Sequence, residues 1–158
     1  MKLIPIKFFV TSSSAISKVS DLNAFDQALL GAGISEQNLI SVSSVIPIGA
    51  KCTEYTELPM GAITHCVLAQ MRGTEGELIS AGIVYAFRKD GNGGYVAEGH
   101  IHGSKECLRK DLEWKMKEMA RIRKIELNEF TYTVEELKIP KDNYGCCIAT
   151  LVFTDYKM

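Results

Sequence analysis

The segment from Lys105 to about Ile125 limits what this 158-residue chain can fold into. Leu108, Leu112, Met116, Met119, Ile122 and Ile125 recur at steps of three and four, which predicts a long helix with one apolar line. Ser104 stands where an N-cap would, and Glu106 suits the positive end of the helix. Such a helix needs an apolar surface to lie on, and the flanking segments supply strands. Residues 2 to 10 read as an edge strand, and about 62 to 71 and 77 to 87 as two more. The glycine cluster in Lys89–Gly94 turns the last of these into Tyr95–Ile101, a hairpin signal. The order is strand, helix, strands, long helix, strands, and it predicts an α+β layered architecture.

The remaining segments complete that reading. Thr11–Ser14, with Ala15–Ser17 after it, reads as a polar loop. Asp21 is a candidate N-cap for a short helix, Leu22 to Leu30, that stops at Gly31-Ala32-Gly33. Asn38 to Ile46 reads as a buried strand, followed by a polar loop ending at Leu58-Pro59-Met60-Gly61. Glu126–Thr133 and Cys146–Tyr156 read as strands around a short helical turn at Val134–Leu137. With 46% hydrophobic and 23% charged residues, one domain spanning 1–158 has enough apolar material for a core.

Charge and apolar runs exclude whole classes of partner. The formal net charge is −1 with both signs interspersed, so the chain has neither a nucleic-acid footprint nor a basic membrane-surface patch. No apolar run approaches the roughly 18 residues that a membrane helix needs. Pro5 and Lys7 interrupt the N-terminal segment, which therefore does not read as a secretory signal. Five cysteines, 52, 66, 107, 146 and 147, are odd in number and lack metal-ligand spacing. They suit a reducing cytoplasm as small buried hydrophobes.

Four constellations are able to carry chemistry. Ser43-Ser44 sits between the apolar run Leu39–Val42 and Val45-Ile46-Pro47, where a constrained backbone could undergo self-cleavage; a solvated strand end is the plain alternative. Leu22, Asp26 and Leu30 share one line of the short helix, which places a carboxylate at the edge of its apolar stripe. It reads either as one half of an ion pair or as a receptor for a cationic substrate tail. Glu98, His100 and His102 alternate along one strand and point the same way. They read as solvated residues, as a divalent-metal set, or with Glu98 as a general acid whose pKa desolvation raises. Asn38 reads as a strand-start residue or as a side-chain amide that polarises a backbone carbonyl.

Together these residues resemble the pyruvoyl-dependent arginine decarboxylases. The resemblance is carried by Leu22–Asp26, Ala28–Leu30 with Ala32–Ile34, Asn38–Ile40, Ser43-Ser44 and Pro47. It continues through Leu58–Ala62, Gly76-Glu77, Ile79–Ala81, Glu98 and Lys117–Ala120, in the family's order over nearly the whole chain. After Pro47 the chain reads Ile48-Gly49-Ala50-Lys51-Cys52, where the family pattern has a second proline and an acidic residue.

The resemblance implies a four-layer αββα sandwich, assembled as a homotrimer with active sites between subunits. It implies cleavage between Ser43 and Ser44 into chains 1–43 and 44–158. The Ser44 hydroxyl would attack the Ser43 carbonyl, with Asn38 assisting, and β-elimination would leave a dehydroalanine that becomes a covalently bound pyruvoyl group. That group would form a Schiff base with L-arginine and yield CO2 and agmatine. Glu98 would be the proton donor, and Asp26, with Leu22 on the same helix line, would contact the guanidinium. His100 and His102, which follow Glu98 where the family pattern has no histidines, are a departure that could tune its pKa. No metal is implied. The alternatives are a decarboxylase of another amino acid, an uncleaved assembly protein of the same fold, and a metal-binding protein built on Glu98, His100 and His102.

Overall fold

A computed structural model of the chain describes residues 2–158. Two twisted sheets are stacked face to face, and each has one helix on its outer face, which makes the four layers αββα. The first sheet has the order β2-β5-β9-β1-β4, from β1 (Ile4–Ser17), β2 (Asn38–Ser41), β4 (Lys51–Cys52), β5 (Ile63–Thr74) and β9 (Tyr144–Lys157). The second has the order β3-β7-β6-β8, from β3 (Val45–Ile46), β6 (Leu78–Phe87), β7 (Gly94–Ile101) and β8 (Thr131–Lys138). Helix α1 (Asp21–Ala32) covers the first sheet, and α2 (Lys105–Arg123) covers the second.

Period-two alternation sorts the apolar residues into three layers of core. Phe8, Cys147, Ala149, Leu151 and Phe153 point between the sheets towards Ile79, Ile83 and Val96. Their chain neighbours Phe9, Cys146, Ile148 and Val152 point outward onto Ala24, Ala28 and Ala32 of α1. Because β9 is covered on both faces, its apolar run is nearly unbroken. Leu108, Leu112 and Met116 seat α2 on the second sheet, with Met119 and Ile125 partly buried beside them.

Several elements depart from the sequence reading. The hydroxyl-rich segment 11–17 is strand, not loop, and β1 pairs with β9 along its whole length. Its polar side chains find partners: Thr11 Oγ1 donates to the Ala32 carbonyl at 2.9 Å, and Ser12 Oγ to Glu135 Oε1 at 2.7 Å. β1 is also not an edge strand, since the short β4 lies outside it. Residues 134–137 belong to β8 rather than to a helical turn, because Val134 packs under α2 while Leu137 faces the opposite side. Ser20, not Asp21, caps α1, and Gly33 ends that helix at φ 80°, a conformation glycine adopts without a Cβ penalty. Ile122, expected on the buried line of α2, is 58% exposed. The described residues contain no helix long and apolar enough to cross a membrane.

Candidate active site

The segment 38–46, expected as one buried strand, is two strands in two different sheets. β2 runs parallel to β5 from Asn38 opposite Ile63 to Ser41 opposite Cys66, and the Val42 amide then donates to the Cys66 carbonyl at 2.9 Å. Two residues later the Ser44 carbonyl accepts from the Val96 amide at 2.9 Å, and Val45 pairs with Tyr95 in the second sheet. The Ser43–Ser44 peptide bond is therefore the crossing between the sheets, anchored on both sides and outside either ladder. Ser43 is exposed and Ser44 half-buried.

A cavity of about 640 Å³ opens at this crossing. β3 ends after pairing with the first residues of β7, which leaves the edge of β7 free beyond it. Val42, Val67, Val96, Ala97 and Met119 give the cavity apolar walls, and Ser43 and Ser44 border it. Glu98, Lys115 and Glu118 supply its charge, and Trp114, 71% exposed, stands beside them. Partial desolvation pushes the Glu98 carboxyl above the usual carboxylate range, against the opposing charges of His100 and Lys115. Glu118 is held in a two-point ion pair by Arg121, which keeps its carboxyl below the usual range.

The cavity thus brings Ser43, Ser44 and Glu98 together within one chain. It does not include Asn38, Asp26 or Leu22. Asn38 is exposed at the start of β2, and its Nδ2 donates to the Gly61 carbonyl at 3.0 Å. Val42 is four extended steps further along, a span of roughly 13 Å. The line Leu22–Asp26–Leu30 is solvent-facing, with Leu22 61% and Leu30 55% exposed. The apolar face α1 actually buries is the alanine row 24, 28 and 32, so Asp26 lies across the helix from the core rather than beside it.

Glu98, His100 and His102 do not form a metal set. His102 lies past the end of β7 and pairs with Glu77 at 2.8 Å, and among the described residues no three His, Cys, Asp or Glu side chains converge to hold a metal. Of the cysteines, 66, 146 and 147 are buried, and burial pushes their thiols up to about 11, 11 and 12; Cys52 and Cys107 are exposed. The cavity residues Trp114 and Lys115 were not singled out from the sequence, and Glu118 entered only within the block Lys117–Ala120 that carries the resemblance. The available signal was a lone tryptophan on the polar flank of an amphipathic helix.

The residues at the crossing fit a pyruvoyl group. A serine, whose three-carbon skeleton becomes such a group, occupies position 44 on the cavity wall, and its carbonyl is already tied to β7.

A family model described as pyruvoyl-dependent arginine decarboxylase matches residues 7–158. A protein of that name from Methanothermobacter thermautotrophicus is 34% identical over 97% of this chain and 99% of its own length. One from Thermococcus kodakarensis is 32% identical over 96% of this chain and 97% of its own length. Another, from Methanocaldococcus jannaschii, is 37% identical over 81% of this chain and 78% of its own length.

Proposed function

The chain belongs to the pyruvoyl-dependent arginine decarboxylase family, an enzyme family whose prosthetic group is a covalently bound pyruvoyl, and we propose that it cuts itself and decarboxylates L-arginine. The observation that carries this reading is the position of the Ser43–Ser44 bond, which bridges two sheets on the wall of the cavity that also holds Glu98. In the self-cleavage, the Ser44 hydroxyl attacks the Ser43 carbonyl carbon and exchanges the amide for an ester. β-Elimination then releases residues 1–43 with a carboxylate end and leaves a dehydroalanine at position 44, whose imine tautomer takes up water and loses ammonia to give the pyruvoyl end of chain 44–158. Both pieces come from one domain and stay in one sandwich.

A pyruvoyl group held at position 44 would supply a ketone for the substrate α-amine and a sink for the electron pair that decarboxylation frees. Glu98 holds the proton that returns to the α-carbon, and desolvation in the cavity favours its protonated form. Val42, Val67 and Val96 give the reacting end an apolar wall. Asp26 receives the guanidinium through the planar fork that matches a carboxylate, with Leu22 packing beside the substrate's aliphatic stem. The product is agmatine.

Asp26 and Asn38 lie outside their own chain's cavity, which supports an assembly in which a neighbouring copy supplies them. A homotrimer with its sites between subunits is the arrangement we propose. The exposed Leu22, Leu30, Ile40, Met60 and Ile63 give it apolar surface to bury. Free thiols at all five cysteines fit a reducing cytoplasm.

Ser44→Ala tests the reading. Intact mass spectrometry of the unsubstituted protein should give two pieces, of about a quarter and three quarters of the 17.5 kDa chain, the larger with a blocked, carbonyl-bearing N-terminus. Ser44→Ala should give one piece and no agmatine. An unsubstituted, folded protein that stays whole and carries no reactive carbonyl would overturn the proposal.

A further inference from the structure

Helix α2 lies tight against β7 at residue 99, where glycine leaves room for its side chains. A Cβ there would lie 2.9 Å from Leu108 Cδ1 and 3.3 Å from Lys115 Nζ. Lys115 extends through this space. Its ammonium donates to the main-chain carbonyl of Glu98 at 3.1 Å and pairs with Asp111 at 3.0 Å, one helical turn back. A lysine paired only with the aspartate four residues before it would be an ordinary surface pair of small worth. The second bond is different in kind. It fastens the helix to the free edge of β7, at the residue whose carboxyl faces the cavity, where β3 no longer provides a strand partner.

We infer that Lys115 is a positioning residue for Glu98, clamping the unpaired edge of β7 to α2 and fixing a permanent positive charge beside the carboxyl. The catalytic consequence rests on Glu98 being the proton donor proposed above; the clamp itself does not. The charged and titratable groups around Glu98 are few. His100 comes from its own strand; Lys115, Asp111 and Glu118 come from α2; and the Cys66 thiol comes from β5. Asp111 is paired with Lys115, and Glu118 with Arg121. The crossing segment brings only serine hydroxyls, and Ile83 lies opposite on β6.

Glu98 is exposed, and partial desolvation favours its protonated carboxyl while His100 and Lys115 favour the ionised one. Of these two, Lys115 is the one also bonded to the Glu98 main chain, so its position beside the carboxyl is fixed by geometry.

The test uses the processed protein with Lys115→Met and Lys115→Arg. Lys115 is about half exposed, so either replacement leaves the core untouched. The titration of Glu98 is followed by carbon NMR of labelled glutamate carboxyls, with Glu98→Gln identifying the resonance. Turnover of arginine is measured over the same pH range. Lys115→Met should move the Glu98 midpoint upward and carry the basic limb of kcat with it. It should also lower kcat about 10-fold or more, with little change in KM. Lys115→Arg keeps both charge and donors and should restore most of each. A Glu98 midpoint that stays put or falls in Lys115→Met overturns the inference, as does a Lys115→Arg protein as impaired as Lys115→Met. If the midpoint moves while the unsubstituted protein leaves arginine intact, the substrate reading fails and the clamp stands. If arginine turns over normally while the midpoint is unmoved, the clamp fails and the substrate reading stands.

Discussion

The proposed opening of the Ser43–Ser44 bond would leave residues 1–43 held only by non-covalent contacts, and Phe8 gives a way to measure them. Phe8 is fully buried between the sheets, edge-on to Tyr85 at 5.4 Å and within 6.2 and 6.4 Å of Phe87 and Phe153. All three neighbours lie on the longer piece. Phe8→Ala removes these contacts and leaves a cavity, a change that costs about 3–5 kcal/mol in a packed core. In the uncut chain that is a loss of folding stability. In the cut protein it is also a loss of affinity between the pieces, and at about 1.4 kcal/mol per tenfold it amounts to roughly two to three and a half orders of magnitude. Size-exclusion chromatography in graded urea, with the mass of each peak recorded, reads the difference. The cut Phe8→Ala protein should shed its short piece at clearly lower urea than the cut parent, whereas Ser44→Ala with Phe8→Ala should only unfold earlier. Lys7→Ala is the contrast: the Lys7–Asp155 pair on the same strand is half exposed and 3.5 Å long, worth about 1 kcal/mol at most. Equal urea tolerance of the cut parent and the cut Phe8→Ala protein would refute the argument that β1 packing retains the short piece.

Glu98→Gln should cut normally but turn over arginine about 10²-fold or more slowly, measured as CO2 release alongside a denaturing gel. With Glu98 as the proposed donor, which must be protonated, and with partial desolvation raising its pKa, kcat should be retained above the ordinary glutamate range and fall as pH rises through the raised value. Asp26→Asn should raise KM for arginine about 10- to 100-fold, the worth of a charge-assisted hydrogen bond, while leaving the thermal midpoint nearly unchanged because Asp26 is exposed. Trp114 is the chain's single tryptophan and lines the cavity, so agmatine should alter the protein's intrinsic fluorescence, and a titration without change would place product binding elsewhere.

Much of the fold was legible where pattern and burial agree. The line Leu108, Leu112, Met116 predicted α2 and its docking face, and the glycine cluster before Gly94 predicted the β6–β7 hairpin. The reading failed where side chains satisfy two periods or where partners are remote. Val134 and Leu137, three apart, fit a helical turn as well as a strand, and only pairing with β6 decides between them. The serines and threonines of β1 look like a loop until the strand ladder with β9 and acceptors on α1 and β8 are known. Ser43, Ser44 and Glu98 were each visible as candidates. That they share a cavity, and that Trp114 and Lys115 border it, depends on sheets meeting at an edge formed by residues more than 50 positions apart.

The residues alone settled the chemistry available: a serine pair at a break in an apolar run, a carboxylate in a strand, and a helix able to cover a sheet. They also carried the family resemblance, through blocks of side chains in the family's order over nearly the whole chain. Tertiary structure alone decided that the Ser43–Ser44 bond crosses from one sheet to the other and that Asp26 and Asn38 stand outside their own chain's cavity. Strand pairing is chosen by partners distant in sequence, so no local pattern can say which sheet each half of residues 38–46 joins.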